Sequence, residues 1–225
     1  MISHNFTKLV GMIKRFRQWR APLDDNQLEY VTWVVRLFNQ IEKVPGHIAE
    51  IGVASGNNSV LFGKLIQQYG QSSVRRYFGF DTFEGFNNRD LSQNLHLSSN
   101  LWKGEQHSLE SVKRRIRTNK LESICSFIKG DAAVTCKSFL KSYQSDRFHP
   151  GMSKFSLLYI DCNAYKPAIS AMESFYNHIS PGGIICIDEK LQGAETNALI
   201  DFAEKNNLRV ERNSNLSVPM QIVKP

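Results

Sequence analysis

From residue 47 onward, short apolar runs alternate with longer stretches whose apolar positions recur every three or four residues. The runs predict strands over His47–Val53, Arg75–Phe80, Ser123–Lys129, Phe155–Asp161, Gly183–Ile187, Leu208–Arg212 and Val218–Val223. The periodic stretches predict helices over Asn57–Tyr69, Leu109–Asn119, Ala132–Ser142, Pro167–Ile179 and Ala194–Asn206. Such alternation makes a mainly parallel sheet with helices on both faces. Ligands of these sheets bind beyond the carboxyl ends of the strands, so the residues just after each strand carry the chemistry.

Ahead of the alternation, Leu9, Val10, Met12, Ile13 and Phe16 stand among Lys and Arg, which predicts a short basic amphipathic helix over Thr7–Arg20. A second helix is expected from "DDNQLEYVTWVVRLFNQIEK", with Asp24 as N-cap and Gln27 three residues on. The predicted organisation is an N-terminal helical extension over residues 1–44 and an α/β Rossmann-like domain over 45–225. The apolar faces of the two N-terminal helices suggest a homo-oligomer. One stretch, "NNRDLSQNLHLSSNLWKGEQH" (87–107), is polar and aperiodic, and reads as a lid, a substrate loop or disorder.

Composition changes this picture little. A net charge of +7 in 225 residues raises the question of nucleic acid. The positive charge is dispersed among acids, however, and the cluster Lys113, Arg114, Arg115 and Arg117 reads as a solvated helix face, so nucleic acid is disfavoured. The four cysteines lie far apart without a CxxC pair, which points away from zinc and from a disulfide framework. The N-terminus lacks the uninterrupted apolar core of a secretory leader and no segment approaches a membrane span, so a cytoplasmic location is expected.

The strand ends carry glycines and acids. After the first strand comes Gly52-Val53-Ala54-Ser55-Gly56, which departs from the dinucleotide fingerprint because Ala54 stands for its second glycine and Asn57 for its third. Asp81 follows Gly56 by 25 residues, close to the spacing of a ribose-binding acid. Asp131, after the third strand, suits an adenine amino group or a helix cap equally well. Asp161 ends the fourth strand, and Asp188 with Glu189 the fifth. Carboxylates converging from separate strands are what a hard cation such as Mg²⁺ requires, with Asn163 offering a neutral oxygen.

Taken together, "EIGVASGNNS", "FGFDTFEGF", "FIKGDAAVT", "LLYIDCNAY" and "SPGGIICIDE" resemble, in order, the macrocin O-methyltransferase family of class I S-adenosylmethionine-dependent enzymes. The resemblance implies a seven-stranded sheet with an antiparallel last strand, and S-adenosylmethionine as cofactor. It implies that Glu50, Gly52, Ala54, Gly56 and Ser59 shape the methionine end, with Glu50 ordering the glycine loop. Asp81 would hold the ribose, Thr82 and Phe83 would line the base, and Gly130 and Asp131 would lie by the adenine. Asp161, Asp188 and Glu189 would hold a divalent metal, with Mg²⁺ implied and Asp161 also touching the cofactor. The acceptor would be a hydroxyl of a sugar or glycosylated small molecule, and Asp161, His96 and His107 are candidate bases. Asn163 and Glu189 stand where the family commonly has aspartates, and one fewer negative charge weakens Mg²⁺ binding. Two other readings stay open: an adenosyl-binding protein with a degenerate site, and an RNA 2′-O-methyltransferase. The chain has no N-P-P-Y type amino-methylation motif, and NAD-dependent oxidoreduction ranks last because the glycine spacing is wrong.

Overall fold

The computed structural model describes residues 24–93, 98–145, 154–189, 193–212 and 220–225. The chain divides into two units, Met1–Leu37 and Phe38–Pro225. Of the first, the described part opens helix α1, Asp25–Ile41. Its start is the reciprocal cap expected from the sequence. Asp24 Oδ1 accepts the Gln27 N–H at 2.8 Å, and Gln27 Oε1 accepts the Asp24 N–H at 3.3 Å.

The second unit runs β1 (His47–Ile51), α2 (Asn57–Gln68), β2 (Tyr77–Asp81), α3 (Asn88–Gln93), α4 (Leu109–Thr118), β3 (Cys125–Lys129) and α5 (Ala132–Ser145). It continues through β4 (Phe155–Ile160), α6 (Tyr165–Phe175), β5 (Ile179–Ile187), α7 (Ala194–Lys205) and β6 (Gln221–Val223). The sheet order is β3-β2-β1-β4-β5-β6, with β6 antiparallel to β5 and every other pairing parallel. The strand order reverses between β1 and β4, which opens the crevice where such sheets bind ligands.

Burial on both faces explains why the central strands read as continuous apolar runs. Every residue of β1 and β4 is buried. Phe78, Phe80, Leu158 and Ile160 face one way, into a core shared with Cys136 and Leu140 of α5, Met172 and Phe175 of α6 and Phe202 of α7. Tyr77 and Tyr159 face the other way, where Phe62 of α2 lies 6.3 and 5.5 Å from their ring centres. The period-two register therefore sorts side chains onto the two layers.

Four expectations are revised. Among the described residues the sheet has six strands rather than seven, because Leu208–Arg212 contributes a single antiparallel bridge, Glu211 to Gln221. Leu208 and Val210 of that stretch pack against the core, so it is held by side chains with one bridge rather than by a ladder at the sheet edge. The strand expected from Arg75 begins at Tyr77, because Arg75 is turned inward to serve α1. Its guanidinium donates to the carbonyls of Ile41 (3.0 Å), Glu42 (3.3 Å) and Val44 (2.9 Å) and to Ser156 Oγ (2.5 Å). It also lies 5.6 Å from the Phe38 ring centre, and burial lowers its pKa to about 10. These bonds satisfy carbonyls that the end of a helix leaves open.

The segment 87–107 is not wholly irregular. Asn87 Oδ1 accepts the Asp90 N–H at 2.9 Å and caps α3, and Glu105–His107 forms a 3₁₀ turn. The helix expected over Pro167–Ile179 ends at Phe175, with a 3₁₀ turn at Tyr176–His178 and β5 beginning at Ile179 rather than Gly183. His96 and the helix expected over Thr7–Arg20 lie outside the described residues. No helix among the described residues is long and apolar enough to cross a membrane.

Candidate active site

The loop after β1 owes its glycines to backbone packing. Gly52 has φ +93°, and a Cβ there would fall on the carbonyl oxygen of Asp161 and 3.0 Å from Cys162 Cα. Gly56 has φ +79°, and its Cβ would meet Val112 Cγ1 at 3.0 Å. Between them Ala54 adopts φ +49°, a left-handed conformation that an L-residue holds at a cost. Asp81, at the end of β2, offsets that cost. Its Oδ2 accepts the N–H groups of Val53 (2.7 Å) and Ala54 (2.9 Å), and its Oδ1 accepts that of Phe83 (2.6 Å). One carboxylate thus organises both the β1 and β2 loops. Three of its roughly four acceptor positions are used by backbone N–H groups; the Thr82 hydroxyl lies 3.4 Å from Oδ1 but makes its shorter bond, 2.6 Å, to the Gly85 carbonyl, which leaves capacity for a ligand hydroxyl.

Behind this loop sits Glu50, fully buried on β1. Its Oε2 accepts the Tyr77 hydroxyl, which is itself 2.7 Å from Ser59 Oγ. Burial holds the Glu50 carboxyl well above the ordinary range, against a hydrogen bond from Asn58 and with the charges of Asp81 and Asp188 adding to the rise. The Glu50, Tyr77 and Ser59 chain joins β1, β2 and α2 under the glycine loop.

At the carboxyl edge of the sheet lies a cleft of about 340 Å³, within the size range of small-molecule sites. Gly52, Ala54, Asp81, Thr82, Gly130 and Asp131 form one part of its wall. Asp161, Cys162, Asn163 and Asp188 form another, and Trp102 and His107 a third. The His107 ring stands edge-on to Trp102 with centres 5.3 Å apart, and its buried Nδ1 has no hydrogen-bond partner among the described residues. Glu50, Gly56, Ser59, Phe83 and Glu189 do not line the cleft. Phe83 packs instead with Val53 and Val112 in a small core beside the loop.

Burial holds the Asp161 carboxyl well above the usual carboxylate range, and the negative groups Asp188, Glu195, Glu50 and Asp81 push it further. Asp188 Oδ1 accepts the Tyr159 hydroxyl at 2.7 Å. Glu189 is directed to the start of α7, where Oε2 accepts the Thr196 N–H at 2.9 Å and the missing Cβ of Gly193 makes room for its carboxylate. Among the described residues no three His, Cys, Asp or Glu side chains group so as to hold a metal ion. The expected set Asp161, Asp188 and Glu189 is not assembled, because Glu189 caps a helix rather than turning toward the other two.

Two further residues, outside the lining of the cleft, brace its wall. Arg89 of α3 donates to Asp131 Oδ2 at 2.8 Å and to Asp90 Oδ1 at 2.8 Å, tying α3 to the loop after β3. Asp131 also accepts the Ala133 N–H at 2.9 Å, so it caps α5 while lining the cleft. Glu195, in the first turn of α7 and only 1% exposed, accepts the N–H groups of Cys162 and Asn163. Burial, and then the charge of Glu189, lifts its pKa to about 8. The Asn87-x-x-Asp90 cap was readable ahead of Arg89, whereas no local signal marks Glu195.

Residues 49–189 match the family described as "Methyltransferase domain". A curated relative, the 8-demethyl-8-(2,3-dimethoxy-alpha-L-rhamnosyl)-tetracenomycin-C 4'-O-methyltransferase of Streptomyces olivaceus, is 24% identical over 163 residues. That match spans 71% of this chain and 58% of the relative's length. Among solved structures, the calicheamicin methyltransferase CalS11 superposes with a TM-score of 0.70 at 20% identity, covering 89% of this chain and 80% of its own. The O-methyltransferase NovP superposes with a TM-score of 0.67 at 18% identity, covering 88% and 79%. The two share the Rossmann-like fold of this chain. With the family match extending from β1 to the acids after β5, the chain belongs to the methyltransferase-domain family.

Proposed function

We propose that the protein is an S-adenosylmethionine-dependent O-methyltransferase acting on a hydroxyl of a sugar or of a glycosylated small molecule. The observation that carries this reading is the cleft at the sheet's switch point, where Asp81 holds the glycine loop on one side and Asp161 faces in from the other. The relatives support the acceptor class. The Streptomyces olivaceus enzyme is named for a rhamnosyl group, and CalS11 is described as a TDP-rhamnose 3'-O-methyltransferase.

The cleft residues fit the cofactor. The ordered β1 loop, the remaining acceptor capacity of Asp81 and the wall formed by Thr82, Gly130 and Asp131 suit an adenosyl group with a methionine tail. Bound there, S-adenosylmethionine would supply an electrophilic methyl group. This chain's part is to align an acceptor hydroxyl and remove its proton, and alignment alone accounts for much of the rate in such displacements. A carboxyl with a raised pKa is a stronger base once ionised than an exposed one, which supports Asp161 for the second task. His107, whose Nδ1 has no hydrogen-bond partner among the described residues, is the other described candidate.

The metal-assisted version of this reading has less behind it, because Glu189 is engaged with α7 and Asn163 brings no charge. The same two features favour the second reading, an adenosyl-binding protein without turnover. Calorimetric titration with S-adenosylmethionine and S-adenosylhomocysteine, in Mg²⁺ and in EDTA, tests the pocket. Methyl transfer to TDP-rhamnose and to rhamnosyl glycosides, followed by mass spectrometry, tests the reaction. Binding with transfer is expected. Binding without transfer to any hydroxyl acceptor would leave the second reading, and no binding under either condition would remove both.

A further inference from the structure

We propose that Glu195 is the positioning residue for the acid-bearing turn after β4, holding Asp161 and Asn163 in the cleft wall from the first turn of α7. Its functional half rests on the methyltransferase reading above. Glu195 is not among the residues that line the cleft, so it acts through the turn.

Three observations converge on that turn. A single oxygen, Glu195 Oε1, accepts the successive N–H groups of Cys162 and Asn163, the latter at 2.5 Å. Asn163 has φ +54°, so the two N–H groups converge as in the backbone concavities that bind anions. A left-handed Asn is held at a cost, and a carboxyl oxygen that accepts both N–H groups offsets it. From the opposite side, Gly52 lets the Asp161 carbonyl and Cys162 Cα press against the glycine loop. The turn is therefore held between α7 and β1, and its three residues, Asp161, Cys162 and Asn163, all face the cleft. Moving the Glu195 carboxyl by one methylene would release both N–H groups and, with them, the direction of the Asp161 side chain.

Cys162 makes the turn measurable without an acceptor. It lies in the turn, and its Sγ donates to the Ala164 carbonyl at 3.5 Å, whereas Cys125, Cys136 and Cys186 are buried in the fold. The experiment compares iodoacetamide alkylation of each cysteine, by peptide mass spectrometry, in the wild type, Glu195→Asp and Glu195→Gln. Asp keeps the carboxyl group and withdraws it by one methylene; Gln keeps the side-chain length and an acceptor oxygen. The expected result is Cys162 alkylation about tenfold faster in Glu195→Asp and within about threefold of wild type in Glu195→Gln, with the other three cysteines unchanged. A faster rate in Gln than in Asp, no change in Asp, or all four cysteines accelerating together would overturn the proposal.

S-adenosylhomocysteine affinity, measured on the same proteins, tests the functional half. It should weaken about tenfold in Asp and recover in Gln. Unchanged affinity alongside a reactive Cys162 would overturn that half. A wild type that binds no S-adenosylhomocysteine would instead overturn the methyltransferase reading, and the cysteine rates would still decide the turn.

Discussion

The carbonyl oxygen of Asp161 occupies the place that a Cβ on Gly52 would need. The contact is backbone against backbone, so neither side can swing away, and Gly52 also sits at φ +93°. Gly52→Ala is expected to cost about 4 kcal/mol or more, since steric overlap and left-handed strain add. Gly56→Ala should cost less, because its nearest obstacle is the Val112 side chain, which can shift. Thermal denaturation of the two variants checks the order, and equal losses would contradict it.

Asp81→Asn keeps the shape of the side chain and removes one acceptor oxygen. An amide NH₂ would then face either the Val53 and Ala54 N–H groups or that of Phe83. The expected outcome is a loss of about 1–3 kcal/mol in loop order, read as at least about tenfold weaker S-adenosylhomocysteine binding by calorimetry. Affinity within twofold of wild type would mean that the loop holds its shape without the carboxylate.

Glu195 gives stability a dependence on pH. Its ordinary pKa is 4.5 and its value in the fold is about 8. Below 4.5 the folded and unfolded chains both carry the proton. As pH rises from there to about 8, the unfolded chain releases it while the folded chain keeps it, so this group's contribution to stability falls and then levels off. Glu195→Gln should flatten that decline. Melting temperatures of both proteins across this interval check it, and parallel curves would show that other groups are responsible.

Arg89→Met strands a carboxylate. Asp90 is only 6% exposed and takes Arg89 as its ion-pair partner, whereas Asp131 keeps its bond from Ala133. The single change should cost about 1–3 kcal/mol, less than a fully buried pair would, because Arg89 itself is one-third exposed. Adding Asp90→Asn should recover part of the loss, and denaturant titration of the four proteins in the cycle measures the coupling.

The layers of this fold were legible because they depend on local periodicity. The alternation from His47 to Ile187 predicted five parallel strands, and the Asp24 and Gln27 pair predicted the start of α1. The strand-end positions likewise pointed to Gly52, Asp81, Asp131, Asp161 and Asp188, which share one cleft. What sequence order does not reveal is the destination of a long side chain. Arg75 reads as the first residue of a strand and instead reaches three carbonyls at the end of α1, more than thirty residues upstream. Glu189 and Glu195 are six residues apart, and the residues between them include 190–192, outside the described set. Which of them meets the β4 turn depends on where α7 begins, and hydrophobic pattern locates helix ends only to within a few residues.

Arg75 also bears on how the chain can be shortened for expression. Its acceptors, Ile41, Glu42 and Val44, belong to the same unit as Arg75, so a boundary placed ahead of Phe38 keeps all three. A boundary moved to Gly46, at the edge of the first strand, would leave a buried guanidinium with Ser156 as its remaining described hydrogen-bond acceptor. Such a fragment would carry the whole sheet and every acid of the cleft and still begin with an uncompensated charge inside it.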